Sequence, residues 1–589
     1  MKRTDIEKKY IWQLEDIYPT VNDWEADLKK VNAMIDFKQY ENKLNDKATL
    51  LQFLKRQDEV LIIFERVYSY AMMLHDSDMK NPEYDAILSK AHSLMVNFNA
   101  ATSFVMPELT ALEDQILLEL VNDKDFSDYS YMLSTVINEK KHVLSKDVEN
   151  ILAMGGDIYS QFREIFMKID NADFDAPEID DGKGGKIKVT HGTYGVIMQS
   201  DDRQLRANAF KAYYQTYIKL INTITATYYG NVKKDVFSAK VRKYDSCLAA
   251  ALSNEDVVPE VYTNLIQAVH KGLPIMHQYI QAKKDTLGYD EMHMYDMYTP
   301  IVREGEIALE YEEACKLVIE GLAPLGKEYE GLLKKAFTER WIDVWETDGK
   351  RSGAYSCGVY GVHPFVLLNY QPTTHAVFTI AHELGHSMHS YFSSKNQPYA
   401  KSDYRIFVAE VASTVNEMLL VMHLLKTVTD KKVKKFVLSY LMEMIRTTLF
   451  RQTQFAEFEY FAHKKAEEGE PLTTELLNSE YHKLNKEYYG DAIISDDEIA
   501  YEWARIPHFY RGFYVYKYAT GIISAMAIVS RILNEGEPAV KDYFAFLSSG
   551  SSDNPVNLLK IAGVDLTKTD AFDSAMKLFA DTLKEFNLL

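Results

Sequence analysis

Apolar residues recur at spacings of three and four along most of this chain, a pattern that predicts a mainly helical protein. The stretch after Ser200 is representative. Ser200, Asp201 and Asp202 offer side-chain oxygens to cap a helix start, and Phe210, Tyr213, Tyr214, Tyr217, Leu220 and Ile221 then fall on one face. A second strong helix pattern is YRIFVAEVASTVNEMLLVMHLL, residues 404–425, an apolar run interrupted by Glu410 and Glu417. Two stretches break the rhythm. Residues 180–200 are glycine-rich with alternating Ile187 and Val189, which predicts a short hairpin. A domain boundary is placed beside it, giving an N-terminal helical region, 1–195, and a larger region, 196–589. Residues 351–373 are also glycine-rich and end in a compact apolar run, Phe365 to Tyr370, read as a loop followed by a strand. The chain shows no repeat of solenoid length and no low-complexity tract.

Composition narrows the classes of function. With 589 residues and 47% hydrophobic content, the chain is long enough for a large core and more than one domain. Its net charge is −20 and it has no long run of Lys or Arg, which argues against nucleic acid as a partner. Cys247, Cys315 and Cys357 are odd in number, far apart and outside any CxxC, so a reducing compartment is expected. The opening MKRTDIEKKYIWQLEDIYP has early charge but no apolar stretch to make a secretory signal. No window approaches 18 consecutive apolar residues, so no membrane span is expected. The expected location is the cytoplasm.

The sharpest chemical signal is AHELGHSMHS, residues 381–390. On a helix, His382 and His386 lie about one turn apart on one face, where both imidazoles reach a single ion. Glu383 sits next to the first and is placed to act as general base on a water. The bland alternative is a pair of histidines on an ordinary surface helix. A metal needs a third ligand, and the His that a longer zinc motif would place at 392 is replaced by Phe392. His389 shares the helix face but lies too far from His382 to join the same ion, so it is assigned to packing or to support of the ligands. Glu410 is the better candidate, because carboxylates inside an apolar helix are costly unless paired or metal-bound. Two histidines, one glutamate and an open position make a catalytic rather than a structural zinc site. Glu417, seven residues on and on the same face, is then expected to hydrogen-bond a ligand. In PHFYRGFYVYKYATG, residues 507–521, Tyr510, Tyr514 and Tyr518 share a face if helical, and Tyr516 joins them if the segment is extended. Packing is the ordinary explanation of such a stripe, but phenol and imidazole groups also serve as oxyanion donors. Phe365, Val366, Leu367, Leu368, Asn369 and Tyr370 are read as a strand whose exposed edge pairs with an extended peptide.

With these segments assembled, the chain resembles the oligoendopeptidase F branch of the thimet oligopeptidase and neurolysin family. The resemblance covers essentially the whole chain, through WQLEDIYP, KKDVFSAKVRKYDS, HMYDMYTPIV, KRSGAYSCGVYGVHPFVLLNY, AHELGHSMHSYFSS, IFVAEVASTVNE and the His508 segment. It implies a mainly α, two-lobed protein with a deep central channel and a small sheet near the metal. The implied activity is endopeptidase cleavage of oligopeptides with one zinc per chain. By the family motif His382, His386 and Glu410 are ligands, Glu383 is the base, and His508 stabilises the transition state. Where mammalian members carry a tyrosine five residues after that histidine, this sequence has Phe513, and Tyr514 and Tyr518 are taken in its place. Two rival readings are a metal-dependent carboxypeptidase, with Arg505 or Arg511 holding the terminal carboxylate, and a catalytically silent peptide-binding protein. The intact Glu383 speaks against the second.

Overall fold

The computed structural model describes residues 1–589, apart from the Lys146 side chain. Helices take up 71% of the chain. Those of fifteen residues or more are α1 (Lys47–Ser77), α2 (Pro82–Ala101), α3 (Arg203–Lys219), α4 (Ile221–Val241), α5 (Pro259–Leu287), α6 (Thr374–Asn396), α7 (Ile406–Thr427), α8 (Lys431–Ile445), α9 (Arg451–Glu467), α10 (Thr474–Tyr489), α11 (Tyr516–Glu535) and α12 (Asp570–Leu588). Two small sheets complete the inventory: the hairpin β1 (Glu178–Asp180) and β2 (Lys186–Lys188), and a three-stranded sheet of β3 (Ile342–Asp343), β4 (Tyr355–Cys357) and β5 (Phe365–Leu367).

The chain forms two compact units, each assembled from three separate stretches. One contains 1–143, 306–427 and 527–565; the other contains 144–305, 428–526 and 566–589. They divide the chain differently from the boundary placed at 195.

In the first unit, an aromatic and aliphatic core gathers Trp12, Trp24, Phe53 and Val67 from the N-terminal helices together with Val359, Phe365 and Leu367 from the sheet region. The buried Asp343 of β3 is neutralised by Arg3, at 2.5 Å, and by the fully buried Lys350, at 2.7 Å. A buried carboxylate is tolerated only with such partners. The sheet order is β3-β5-β4, with β3 parallel and β4 antiparallel to β5. The expected exposed edge at Phe365 to Tyr370 is therefore a misreading. β5 is the middle strand; the amides of Val366, Leu368 and Tyr370 donate to Trp341, Asp343 and Val344. Phe365, Val366, Leu367, Leu368 and Tyr370 are buried, and Asn369 donates to the carbonyls of Arg351 and Gly353. An unbroken apolar run is the signature of a strand covered on both faces, not of a free edge. α6 and α7 pack along each other beside this sheet. α7 is long and apolar enough to cross a membrane by length and composition, but 61% of its apolar window is buried inside the protein.

In the second unit the hairpin forms as expected, with Ile179 opposite Ile187. Gly182 and Gly184 take positive φ in its turn. The Asp202 side chain caps α3 by accepting from Leu205 N–H at 3.0 Å. Phe210, Tyr213, Tyr214 and Tyr217 are buried along one face, but the expected continuous face fails at its end. Leu220 is exposed at the break between α3 and α4, and Ile221 begins the next helix. The core of this unit is rich in compensated charge: Arg206 meets Asp296 at 2.6 Å with both side chains fully buried, and Glu443 joins Lys283 to Arg446.

Candidate metal centre

α6 starts where Thr373 accepts a hydrogen bond from Ala376 N–H, and it runs without proline through the HELGH segment. Helical pitch then stacks His382 over His386. α7 comes unusually close. A Cβ on Gly385 would stand 2.5 Å from both the Ala412 carbonyl oxygen and Ser413 Cα, so only glycine permits this crossing. Asn416 on α7 reinforces it by donating to the Ala381 carbonyl at 2.9 Å while accepting from Tyr329 Oη at 2.8 Å. This crossing brings Glu410, one turn into α7, against the two histidines.

The three candidate donors form a tight triangle. His382 Nε2 and His386 Nε2 are 3.2 Å apart, and Glu410 Oε2 lies 3.4 and 3.5 Å from them. A tetrahedral ion with bonds of about 2.0–2.1 Å holds its ligands ~3.3–3.4 Å apart, so the donor set fits a zinc ion. All three residues are half-buried, which leaves the open face that a fourth position requires. Glu417 accepts a short hydrogen bond from His382 Nδ1. That contact keeps the proton on Nδ1 and turns the Nε2 lone pair toward the triangle.

The electrostatics favour a cation at this point. Burial works against a charged His382, yet its hydrogen bonds to Glu410 and Glu417 outweigh it and lift the imidazole to about 10, so the positive charge favoured here is that of a proton on Nε2, which a metal ion would displace to reach the lone pair. For Glu410 burial is likewise outweighed, by the two histidines, and the carboxyl falls to about 2. Burial and the neighbouring His382 push His386 down to about 4, so it stays a neutral donor. Glu383 is buried, and desolvation raises it to about 7 against the pull of His382 and of the Ser356 backbone N–H. A buried carboxylate near neutrality is poised to accept and release protons.

His389 supports no ligand. It stacks flat on Tyr404 with 3.6 Å between ring centroids, its Nδ1 lacks a hydrogen-bond partner, and burial pushes it down to about 3. Of its two expected roles, packing is the one realised.

The His508 segment lies in the second unit. His508 is exposed, and its ring centroid lies 6.3 Å from Tyr514 and 6.1 Å from Tyr518; the two tyrosines are 5.6 Å apart. Burial, Arg451 and Arg511 lower His508 and keep it neutral. The stripe is thus split. Tyr510 is buried and stacks on Phe166 at 4.4 Å, and Tyr516 packs on Tyr262 at 5.0 Å, whereas Tyr514 and Tyr518 face His508. Phe513, at the position expected to differ, has φ +55° and points into the core.

Several residues that position these groups escaped the sequence reading. Gly385 was readable as a close-approach glycine inside the zinc motif. Ser356 lay in a loop-like, glycine-rich stretch; on β4 its hydroxyl meets Ser387, itself on α6, at 2.8 Å. Glu459, one of two acids set between the aromatics of α9, accepts from Phe513 N–H at 2.8 Å.

Comparison with known proteins places this geometry in a family. The Peptidase family M3 profile matches residues 196–578, and the Oligopeptidase F profile of the N-terminal region matches 108–175. The chain is 43% identical to oligopeptidase PepF of Bacillus subtilis, covering 100% of this chain and 88% of that one. It is 39% identical to an oligoendopeptidase F homologue of Lactococcus lactis, covering 100% and 98%. Among solved structures, one from Chlamydophila abortus superposes with TM-score 0.94 at 36% identity over the full length of both chains. Oligoendopeptidase F of Enterococcus faecium follows at 0.73 and 34%, covering 96% of this chain and 98% of that one. A family match over residues 196–578, with relatives aligned end to end, leaves one assignment: the chain belongs to peptidase family M3, in its oligoendopeptidase F branch.

Proposed function

We propose that this peptidase is a zinc-dependent endopeptidase that hydrolyses internal bonds of short oligopeptides, with Glu383 as general base. The observation that carries the reading is the donor triangle of His382, His386 and Glu410, with edges of 3.2–3.5 Å and the buried Glu383 beside it on the same helix. One zinc ion held there would supply the Lewis acid that acidifies water and polarises the scissile carbonyl. Glu383 takes the proton of the attacking water on its carboxylate and passes it to the leaving amine. Glu417 holds His382 in the tautomer that offers Nε2. Neutral His508, with Tyr514 and Tyr518, is assigned the donation of hydrogen bonds to the substrate oxygen as it gains charge, on the family resemblance and on the clustering of the three rings. The division at 195 is retained as a division of sequence, just ahead of the catalytic profile. The three free cysteines support a cytoplasmic location.

The test uses a peptide blocked at both ends. The metal-loaded protein should contain one zinc per chain and cut this peptide internally. Chelation should abolish cleavage and added zinc restore it. Glu383→Gln, isosteric but unable to accept the proton, should retain zinc and lose nearly all turnover. Full activity without metal would end the zinc reading, and failure on the end-blocked peptide with cleavage of the free-acid form would make the enzyme a carboxypeptidase.

A further inference from the structure

Two arginines flank the His508 segment, and they differ in what they already hold. Arg505 donates to Glu502 at 2.8 Å, and Glu502 also takes Arg451 at 2.6 Å, so that charge is committed to the core. Arg511 is exposed, and among the described residues it has no acidic partner. Its guanidinium lies over the Tyr514 ring, 4.2 Å from the centroid. Both Arg511 and Tyr514 line a cavity of about 430 Å³ within the second unit.

The other charges lining this cavity each have a counter-ion. Glu255 is paired with Lys517 through one oxygen, while its other oxygen is buried without a hydrogen-bond partner. Asp235 lies 3.3 Å from His463 and 3.1 Å from Lys234. Arg242 meets Glu149 at 2.8 Å. The cavity therefore carries one positive charge in excess, on a side chain held by an aromatic face. Stacking occupies the plane of a guanidinium and leaves its edge, where the N–H donors lie, free to take a carboxylate bidentately.

We propose that Arg511 and this cavity form a carboxylate-recognition site for the oligopeptide substrate, accepting either an acidic side chain or the C-terminal carboxylate. The choice of a peptide ligand rests on the peptidase reading. The site would make this enzyme discriminate among peptides by charge at one position. Tyr514 links the site to the candidate catalytic cluster, because the same ring meets both Arg511 and His508.

The experiment measures binding, so it does not depend on turnover. Three octapeptides of one sequence are titrated calorimetrically into the full-length, zinc-loaded Glu383→Gln protein. The first ends in a free carboxylate and has no acidic residue, the second is its C-terminal amide, and the third is the amide with one interior residue changed to Glu, scanned along the peptide. A charge-assisted bidentate contact is expected to make a carboxylate peptide bind ~10–100-fold tighter than the neutral amide. Whichever arm shows the gain identifies the source. Adding Arg511→Ala should bring all three within about twofold, and Arg511→Lys should restore part of the preference, as expected for a contact made by charge. Equal affinities in the parent, or a preference that survives Arg511→Ala in a protein with an unchanged melting profile, would overturn the proposal. Cleavage of the same peptides by the protein with Glu383 intact is scored separately. A protein that prefers carboxylates but cuts nothing would sink the peptidase reading and leave the carboxylate site standing.

Discussion

Glu417 acts through the far nitrogen of His382 and touches none of the three donor atoms. Its carboxylate fixes the proton of His382, and both the tautomer and the ring orientation follow from that one contact. Glu417→Gln should keep the fold and weaken zinc binding by about 10–100-fold, read by competition with a chromophoric chelator. Glu410→Ala should lose far more, and a Glu417→Gln protein that holds zinc as the parent does would show that the contact is incidental. Glu459 poses a different problem, a carboxyl buried to 1% exposure with one oxygen on Phe513 N–H and the other unpartnered. Desolvation lifts it to about 8 despite the opposing pull of His463, the Phe513 N–H and Lys517, while Asp235 pushes the same way as burial. A carboxyl raised on folding binds its proton more tightly in the native state. Its contribution to stability is therefore complete below the ordinary value of 4.5 and is lost as pH rises through about 8. Glu459→Gln keeps the acceptor for Phe513 and has no charge to bury, so denaturant unfolding at pH 5 and pH 8 should show a smaller loss on alkalinisation than in the parent. Glu459→Ala orphans the buried amide and should cost about 1–3 kcal/mol at both. An unchanged pH slope in Glu459→Gln would mean that Glu459 already titrates as an exposed carboxyl does.

At the scale of elements, the site depends on how near α7 can come to α6. Gly385→Ala would drive a methyl group to 2.5 Å from the backbone of Ala412 and Ser413. The helices must separate, at a cost of about 1–3 kcal/mol for overpacking, more where backbone has to move. Both thermal stability and zinc affinity should fall together, since Glu410 moves with α7; a variant less stable but with parental zinc affinity would uncouple the crossing from the site. These two helices were legible in the sequence because each carries a long apolar rhythm interrupted only by chemically informative residues. The hairpin was legible from its glycines and alternation. Phe365 to Leu367 was recognised as strand, but local pattern does not say which neighbours take its hydrogen bonds, and β3 comes from more than twenty residues earlier. The 203–221 face read as one helix because apolar spacing continues across Leu220, where the structure breaks it. In the tyrosine stripe, periodicity offered two groupings and the fold realised neither: alternation of burial follows the turn at Phe513, whose positive φ leaves no periodic trace.

Across the whole molecule, sequence order and compactness diverge, and that has a consequence for how the catalytic region can be isolated. The profile of the catalytic family begins at 196, yet the unit that holds His382, His386 and Glu410 includes residues 1–143. Val359, Phe365 and Leu367, just ahead of the metal helix, share one core with Trp12, Trp24, Phe53 and Val67. Arg3 reaches β3 to neutralise the buried Asp343. A fragment starting at 144 would therefore expose the inner face of the sheet and leave Asp343 with only one of its two cations. Burial of large apolar side chains is worth roughly 1.5–3 kcal/mol each, so losing several of them exceeds the whole net stability of a typical domain, about 5–15 kcal/mol. The fragment 144–589 is expected to lack a cooperative melt by near-ultraviolet circular dichroism and to bind zinc poorly, although every proposed ligand and the base lie within it. Co-expression with residues 1–143 as a separate chain should restore both, because the contacts between them are those of a core and need no covalent link. A 144–589 fragment that melts cooperatively and takes up one zinc on its own would show that the N-terminal segment is an appendage to the catalytic unit and not part of its core.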